Sequence, residues 1–371
     1  MGIILAGDIT QLKPTVISAE ETPGWNEFSQ QLETSLVARL IRANHPIHQL
    51  TAQRRFRPTF SEFLNMRVYQ QLLKSSLITK ELKVKSGWDD AVRSLIPEIS
   101  QSFDTGHFVL SLTGSSCDLE QATKSKFNMV HAQAVITLLI ENHLKNGYEG
   151  EDMVIITPYT AQKNLYRTAL FHLREQLPLS HQPQIETIDS IQVREAKLVI
   201  VDFVISQADT RADLGFLDDH RCTVAHSRMR EVLVTVAPMH LADSPFAKTP
   251  FPRQNSSGEV VSSKSPYLVE YVSWASRNKK VIVLDAMPKA IPFSMFHDFG
   301  QTSIFADNTA EADNNGEINW DDYNASNPGT NEIVEWEDDF DSKIPKPEGF
   351  DEGSDADGAD DYLGLGLGGP W

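Results

Sequence analysis

Short apolar runs alternate with helical spacings through the first 240 residues. Continuous apolar runs predict three buried strands, at residues 153–156, 198–201 and 232–236. After the first run, apolar side chains recur at every fourth position and predict a helix with Thr160 as its N-cap. The apolar positions of that helix are Leu165, Ala169, Leu173 and Leu177. Further helices are expected at 35–43, at 59–69, and around Ala132, Val135, Ile136 and Leu139. This alternation predicts an α/β fold, with a mostly parallel sheet covered by helices.

The composition of the chain changes after about Ser244. Ser, Pro and Lys dominate as far as Ser265, and residues 267–283 could then form one more helix and strand. We therefore expect a short strand within 1–15, a main domain over 16–244, a linker with a small appendage over 245–305, and a tail over 306–371.

Negative charge is concentrated in the tail. The chain has a net charge of -18, and residues 306–371 hold 19 acidic and 2 basic side chains, which leaves the rest of the chain at a net charge of -1. The acidity of the whole chain therefore does not exclude a nucleic-acid partner for the body. The tail lacks a sustained apolar period, so we expect it to be disordered. Its aromatic residues could dock onto a protein, or the tail could simply be a solvated extension.

Several classes of protein are disfavoured by the composition. Two cysteines in 371 residues give no disulfide framework, and Cys222 with His220 and His226 is too small a set to predict a zinc site. No stretch approaches the ~18 consecutive apolar residues of a membrane span, and no basic leader precedes the first apolar run. We expect a soluble intracellular protein of the cytoplasm or nucleus, with no metal site and no membrane partner.

Two segments near the amino end carry groups suited to phosphate. The apolar run Ile3 to Ala6 ends in Gly7-Asp8, with Gln11 close behind, and a carboxylate and an amide after a strand suit phosphate and magnesium. The second segment contains three arginines, Arg54, Arg55 and Arg57. A planar guanidinium can donate two parallel hydrogen bonds to one phosphate. Alone, the first segment is equally compatible with a strand followed by a polar turn, and the second is better explained as a solvated basic turn.

Three later segments also place polar groups beside predicted strands. Thr157 to Gln162 leads from a strand through a proline turn into a helix, where free backbone amides favour anions. Glu186 to Glu195 is a charged stretch ahead of a buried strand. In the last segment Arg221 and Arg228 lie seven residues apart and are predicted to point the same way from one helix, as an arginine finger requires. An ordinary capped turn or a solvated basic helix explains each of these segments equally well alone.

Taken together, the order and spacing of these segments resemble the motifs of superfamily 1 helicases of the nonsense-mediated-decay and senataxin type. The matching segments are Gly7 to Pro14, Ser35 to Leu40, Gln53 to Pro58, Thr157 to Gln162, Thr187 to Glu195 and Gly215 to Arg228. The resemblance covers about residues 3–240. It implies that the body is the second RecA-like P-loop NTPase domain of such a motor, preceded by the last strand of the first.

The resemblance also implies roles for individual residues. Gln11 would sense the γ-phosphate of ATP, while Arg55 and Arg228 would neutralise phosphate charge. Residues expected at the nucleotide are Asp8, Gln53, Arg54 and Glu195. Residues expected at the backbone of single-stranded RNA or DNA are Thr157, Pro158, Thr187 and Ser190.

The chain departs from the family pattern in ways that bear on activity. No Gly in the chain is followed by Lys, so it holds no phosphate loop, and the carboxylates that bind magnesium are expected upstream of Gly7. Val193 stands where the family has Gly, and Arg54 where it has Tyr. Thr223, His226 and Ser227 replace the usual Asn, Leu and Thr.

Two functions therefore remain open from the sequence. The first is half of an ATP-dependent helicase, inactive alone, which uses ATP with Mg2+ only when a separate phosphate-loop domain is supplied. The second is a non-catalytic RecA-like module that binds nucleic acid or protein.

Overall fold

A computed structural model describes residues 4–14, 16, 28–191, 194–206, 210–248, 253–254, 260–262 and 265–285. All of them belong to one unit, residues 1–308. The acidic tail, Val193 and most of the expected 245–265 linker lie outside the described residues, so the expected disorder and docking role of the tail stay predictions.

The bounds of the regular elements within these ranges are as follows. The strands are β1 Ala52–Gln53, β2 Lys74–Ser75, β3 His107–Leu112, β4 Asp118–Leu119, β5 Lys126–Phe127, β6 Met153–Thr157, β7 Gln184–Thr187, β8 Ala196–Asp202, β9 Met229–Val236, β10 Arg253–Gln254, β11 Val260–Ser262 and β12 Val281–Leu284. The α-helices are α1 Ser29–Leu32, α2 Leu36–Arg42, α3 Pro58–Arg67, α4 Leu77–Lys80, α5 Ser86–Leu95, α6 Met129–Leu144, α7 Thr160–His172, α8 Thr210–Phe216, α9 Asp219–Ala225, α10 Pro245–Lys248 and α11 Tyr267–Arg277. Short 3-10 helices span Gly150–Asp152, Leu179–His181 and Met239–Asp243.

A six-stranded parallel sheet organises the described residues. Its strand order is β12-β3-β9-β8-β6-β7, and every neighbouring pair runs parallel. The predicted α/β class and the predicted strands β6, β8 and β9 are confirmed. Strands β3 and β7 were not foreseen, although β3 is buried along its whole length.

Helices cover both faces of the sheet. Ile200 on β8 packs with helices α5, α6 and α7 on one face, whereas its neighbours Val199 and Val201 pack with α3, α9 and α11 on the other. Such alternation follows from the two-residue period of a strand. Both faces of the central strands are therefore buried, which explains why they appear in the sequence as continuous apolar runs.

The predicted helices are confirmed with shifted ends. Ser35 caps α2, its Oγ accepting from the Ala38 amide at 3.2 Å. The N-cap prediction for Thr160 is wrong, because Tyr159 holds that position and Thr160 begins α7. Helix α7 also ends at His172, so Leu177 is buried in the core from beyond the helix.

Two predictions about domain organisation are corrected by the topology. The segment expected as a separate appendage forms α11 and β12, and β12 pairs with β3 as an edge strand of the main sheet. The strand expected before Gly7 does not form in residues 4–8, where Ile4 is 96% exposed. A strand needs a partner for its amides and carbonyls, and this segment has none among the described residues. Leu12 instead packs against the core beside α3 and α11.

A cluster of histidine and tyrosine side chains is buried between α11 and the sheet. His226 lies 3.3 Å from the Tyr267 hydroxyl and 3.2 Å from the Thr235 hydroxyl. His107 lies 3.1 Å from the Tyr271 hydroxyl. Burial lowers the pKa of His226 to about 3 and that of His107 well below its usual range, where the charge of Lys280 adds to the effect. Both rings are therefore neutral in the folded chain at neutral pH.

The buried histidines predict acid-sensitive stability. Below about pH 6.5 an unfolded histidine binds a proton that His107 and His226 cannot bind in the folded chain, so the free energy of unfolding falls as pH falls. We expect a loss of about 1.4 kcal/mol per pH unit for each histidine. Urea unfolding between pH 6.5 and 5 measures the slope. His226→Gln should reduce it, whereas the same change at the exposed His172 should not. Equal slopes in both variants would contradict the assignment.

Candidate functional site

Parallel pairing brings the amino ends of β8 and β9 together. Ala196 pairs with Met229, and the Ala196 amide donates to the carbonyl of Arg228 at 3.0 Å. Glu195 and Arg228, which immediately precede the two strands, therefore lie side by side. Residues 33 positions apart in sequence thus meet at the amino edge of the sheet.

The turn before α3 adds Arg55 to this edge. Arg55 Nε donates to Glu195 Oε2 at 2.7 Å, and its terminal nitrogen donates to the Ser227 carbonyl at 2.8 Å. The Arg57 amide donates to the carbonyl of Arg230 at 3.0 Å, which fixes the turn against β9. Arg55 and Glu195 keep 34% and 40% of their side chains exposed, so the edge remains accessible.

The amino-terminal segment completes the cluster through Asp8 and Gln11. Asp8 accepts hydrogen bonds from the Thr10 hydroxyl at 2.6 Å, the Tyr69 hydroxyl at 2.8 Å and the Gln11 amide at 3.0 Å. Burial alone would raise the pKa of Asp8, but these hydrogen bonds outweigh it and lower that pKa. Burial and the charge of Asp8 raise the pKa of Tyr69 to about 12.

Arg228 is the central cation of the amino edge. Its side chain is only 3% exposed, and one terminal nitrogen donates to Gln11 Oε1 at 2.6 Å. Its Nε is buried and has no hydrogen-bond partner among the described residues. Burial together with the charge of Arg55 lowers the pKa of the Arg228 guanidinium. A buried guanidinium with a spare donor, beside a second guanidinium, fits a multiply charged anion such as phosphate.

Five of the residues expected at the nucleotide meet here, and two do not. The five are Asp8, Gln11, Arg55, Glu195 and Arg228. The Gln53 side chain instead makes hydrogen bonds close to its own turn. Its amide nitrogen donates to the Phe56 carbonyl and the Ser75 hydroxyl, and its amide oxygen accepts from the backbone amides of Arg55 and Phe56. Gln53 therefore shapes the turn that carries Arg55, and contact of its side chain with a nucleotide stays a prediction. Arg54 is exposed and makes no bond to this cluster among the described residues.

The expected arrangement of Arg221 and Arg228 on one helix is wrong. Helix α9 ends at Ala225, so Arg228 lies in the turn that leads into β9. Arg221 lies on α9 and pairs with Asp189 at 3.2 Å. The start of a strand, rather than a helix end, holds Arg228 in place.

The residues expected at nucleic acid lie at the carboxyl ends of β6 and β7. Thr157 pairs with Thr187 in the parallel register, and Pro158 follows directly. The Ser190 hydroxyl lies 2.9 Å from the Thr187 hydroxyl in an exposed turn. The Thr157 hydroxyl is buried and has no hydrogen-bond partner among the described residues, and its contact with a nucleic-acid backbone stays a prediction.

Sequence reasoning missed two residues of the amino edge. Arg230 lies 3.7 Å from Glu195, and its position two residues after Arg228, at the start of an apolar run, was a usable signal. Tyr69, the partner of Asp8, gave no signal, because the contact joins residues 61 positions apart in sequence. Within the described residues no group of three or more His, Cys, Asp or Glu could hold a metal ion. None of the helices described there is both long and apolar enough to cross a membrane.

Comparison with known proteins identifies the family. The profile of a family described as "AAA domain" matches residues 32–240. The rat DNA-binding protein SMUBP-2 is 26% identical over 265 residues, which cover 69% of this chain and 24% of that protein. The mouse probable helicase senataxin is 27% identical, and the match covers 58% of this chain and 8% of senataxin. The Arabidopsis thaliana DNA replication ATP-dependent helicase/nuclease JHS1 is also 27% identical, and the match covers 63% of this chain and 17% of JHS1. The chain belongs to this AAA-domain family, among the superfamily 1 helicases of the senataxin type.

The match to this helicase family is partial in length. The chain spans about a quarter or less of the curated relatives named above. One similar solved structure is the C-terminal domain of a possible DNA helicase from Lactobacillus plantarun WCFS1. It is 15% identical with a TM-score of 0.25, and the match covers 43% of this chain and 88% of the helicase domain. The RecA-like α/β fold of the helicase family is consistent with the parallel sheet described above.

The charges of the amino edge predict stabilisation of this helicase-family chain by a linear oligophosphate. Tripolyphosphate would relieve the repulsion between Arg55 and Arg228 and bond the spare Arg228 Nε. At about ten times its dissociation constant it should stabilise the fold by about 1.4 kcal/mol, a rise of a few degrees in melting temperature. Arg228→Gln should abolish the rise, whereas Arg221→Gln should keep it because Arg221 is held by Asp189. A rise of the same size in both variants would exclude the amino edge as the binding site.

Proposed function

We propose that this chain supplies the second RecA-like half of an ATP-dependent helicase motor that moves on single-stranded RNA or DNA. The observation that carries the proposal is the buried Arg228 guanidinium, which meets Gln11 while Arg55 and Glu195 lie beside it. Family membership supports the same function.

The contacts of the amino edge suggest a division of roles at the nucleotide. Arg228 and Arg55 neutralise phosphate charge, since both guanidiniums lie at one edge and repel each other without an anion. Gln11 bonds both Asp8 and Arg228, so it can transmit a change at the phosphate to the amino-terminal segment. Glu195 aims Arg55 through a 2.7 Å bond.

The described residues of this half include no set of ligands for Mg2+. Asp8 has its oxygens engaged by Thr10, Gln11 and Tyr69, which leaves it poorly placed to bind a cation. The phosphate loop and the carboxylates for Mg2+ would come from a first RecA-like domain, so the 371-residue chain alone is proposed to be inactive. The proposed setting is intracellular, with nucleic acid and a phosphate-loop domain as partners.

The carboxyl edge of the sheet is the proposed path for nucleic acid. Pro158, Thr187 and Ser190 lie at the ends of β6 and β7, where hydroxyl groups and loop amides can bond a sugar-phosphate backbone without reading its bases.

One observation favours the second candidate function, a non-catalytic module that binds nucleic acid or protein. Glu195 already lies 2.7 Å from Arg55 and 3.7 Å from Arg230, so the amino edge neutralises part of its own charge. A module that no longer binds a nucleotide would be expected to keep ion pairs of this kind between Glu195 and the arginines of the amino edge.

ATP hydrolysis by the purified 371-residue chain separates these functions. We expect no turnover with or without single-stranded RNA or DNA, together with photo-crosslinking of an azido-ATP probe that Arg228→Ala abolishes and Arg221→Ala preserves. Turnover stimulated by nucleic acid and lost in Arg228→Ala would contradict the incomplete motor. Nucleic-acid binding without any Arg228-dependent crosslink would instead support the module.

The proposed nucleic-acid path makes a separate prediction about two exposed serines that flank β7. Ser190→Asp places a negative charge at the carboxyl edge and should weaken binding of single-stranded RNA about tenfold, or ~1.4 kcal/mol. Ser180→Asp places the same charge before β7 and should leave affinity unchanged. Fluorescence anisotropy at fixed salt measures both. A loss of similar size in the two variants would place the strand elsewhere.

A further inference from the structure

A line of three polar side chains lies at the carboxyl ends of β3 and β8, apart from the residues assigned above. Ser115 follows β3, His131 lies in the first turn of α6, and Asp202 ends β8. Ser115 Oγ is 3.3 Å from His131 Nε2, and His131 Nδ1 is 2.8 Å from Asp202 Oδ1. The three residues are 6%, 1% and 0% exposed. Serine, imidazole and carboxylate are thus in hydrogen-bond contact in the order that activates a serine hydroxyl.

The direction of the hydrogen bonds follows from the chemistry of the groups. A carboxylate can only accept, so the proton between His131 and Asp202 belongs to His131 Nδ1. In the neutral ring Nε2 then carries a lone pair and accepts from the Ser115 hydroxyl. This is the tautomer that a general base for Ser115 requires.

Three further donors hold the Asp202 carboxylate in place. The Val204 amide donates to Oδ1 at 2.9 Å, while Gln162 Nε2 and the Tyr166 hydroxyl each donate to Oδ2 at 2.8 Å. The backbone at Val204 adopts a φ of 57°, which is unfavourable for a β-branched residue. Strain of this kind persists where the surrounding contacts require it, and here it directs the Val204 amide at the carboxylate.

The turn that carries Ser115 leaves room for a small group. Gly114 adopts a φ of 69°, and apart from its two chain neighbours no atom of the described residues lies within 4 Å of the position that a Cβ would occupy there. Ser116 is exposed, whereas Ser115 turns inward to His131. The open space at Gly114 adjoins Ser115 in the chain, and since Ser115 is only 6% exposed the proposed substrate is a compact one.

The geometry points to a second, hydrolytic site in this chain, in which Ser115 attacks small carboxylic esters, His131 is the general base and Asp202 is the positioning residue. It does not depend on the function proposed for the amino edge.

The reaction balances with the groups present and water. Ser115 Oγ attacks the ester carbonyl carbon as its proton passes to His131 Nε2, and the bond to the leaving alcohol breaks as that alcohol takes the proton from His131. Water, deprotonated by His131, then attacks the acyl-serine ester. The products are a carboxylic acid, the alcohol and regenerated Ser115, and no redox partner is needed.

Labelling by a fluorophosphonate probe tests the site directly. The probe traps an activated serine as a covalent adduct, which intact-mass and peptide analysis can locate. We expect one adduct on the full 371-residue chain, at Ser115, absent in Ser115→Ala and retained in Ser116→Ala. Absence of an adduct at Ser115, or equal labelling of Ser115 and the exposed Ser116, would overturn the proposal.

Variants of the other two residues separate catalysis from folding. His131→Gln should slow labelling about a hundredfold or more. Asp202→Asn should also slow it, by a factor that shrinks as pH rises, because hydroxide then replaces the imidazole as base. A purely structural defect would not show that pH profile. If either variant unfolds, hydrolysis of p-nitrophenyl acetate by the unmodified chain decides: turnover equal to that of Ser115→Ala would refute the site.

Discussion

The parallel register between β8 and β9 is the constraint on which the amino edge depends. The Ala196 amide bonds the carbonyl of Arg228, so a shift of one residue would turn the Arg228 side chain to the opposite face of the sheet. That register is set by apolar side chains on both faces of β8, since each of its central residues packs into one of the two cores. The placement of the arginines is thus a consequence of core packing.

Burying Arg228 carries an electrostatic cost, and its surroundings show how that cost is reduced. The guanidinium is desolvated and repelled by Arg55, and among the described residues its terminal nitrogen donates to the neutral Gln11 oxygen. Glu195 pairs directly with Arg55, and the charges of Asp8 and Glu195 offset only part of the effect of burial and of Arg55 on Arg228. The amino edge therefore keeps one cation that is incompletely satisfied, which is the state expected of a group whose partner is an anion from outside the chain.

The sequence was most informative where local pattern and motif spacing agreed. Apolar runs predicted β6, β8 and β9, and the motif resemblance picked out Arg55, Glu195 and Arg228, which do meet. It was less informative where the surroundings of a side chain appear only in the folded chain. Gln53 and Thr157 occur in the expected segments, yet the first bonds its own turn and the second is buried. Strand β12 was misassigned because the polar stretch before it resembles a linker, whereas its pairing with β3 is a long-range contact.

Strand β8 carries chemistry at both ends, and its length separates the two places. Glu195 precedes its first residue and Asp202 is its last, a span of roughly 23 Å at the usual rise of an extended strand. Groups so far apart, with no shared partner, should contribute independently to stability and to binding. A change at Arg55 or Arg228 should therefore leave the Ser115–His131–Asp202 line undisturbed. Any coupling that did appear between the ends would have to pass through β8 itself, because its buried centre is the element common to both.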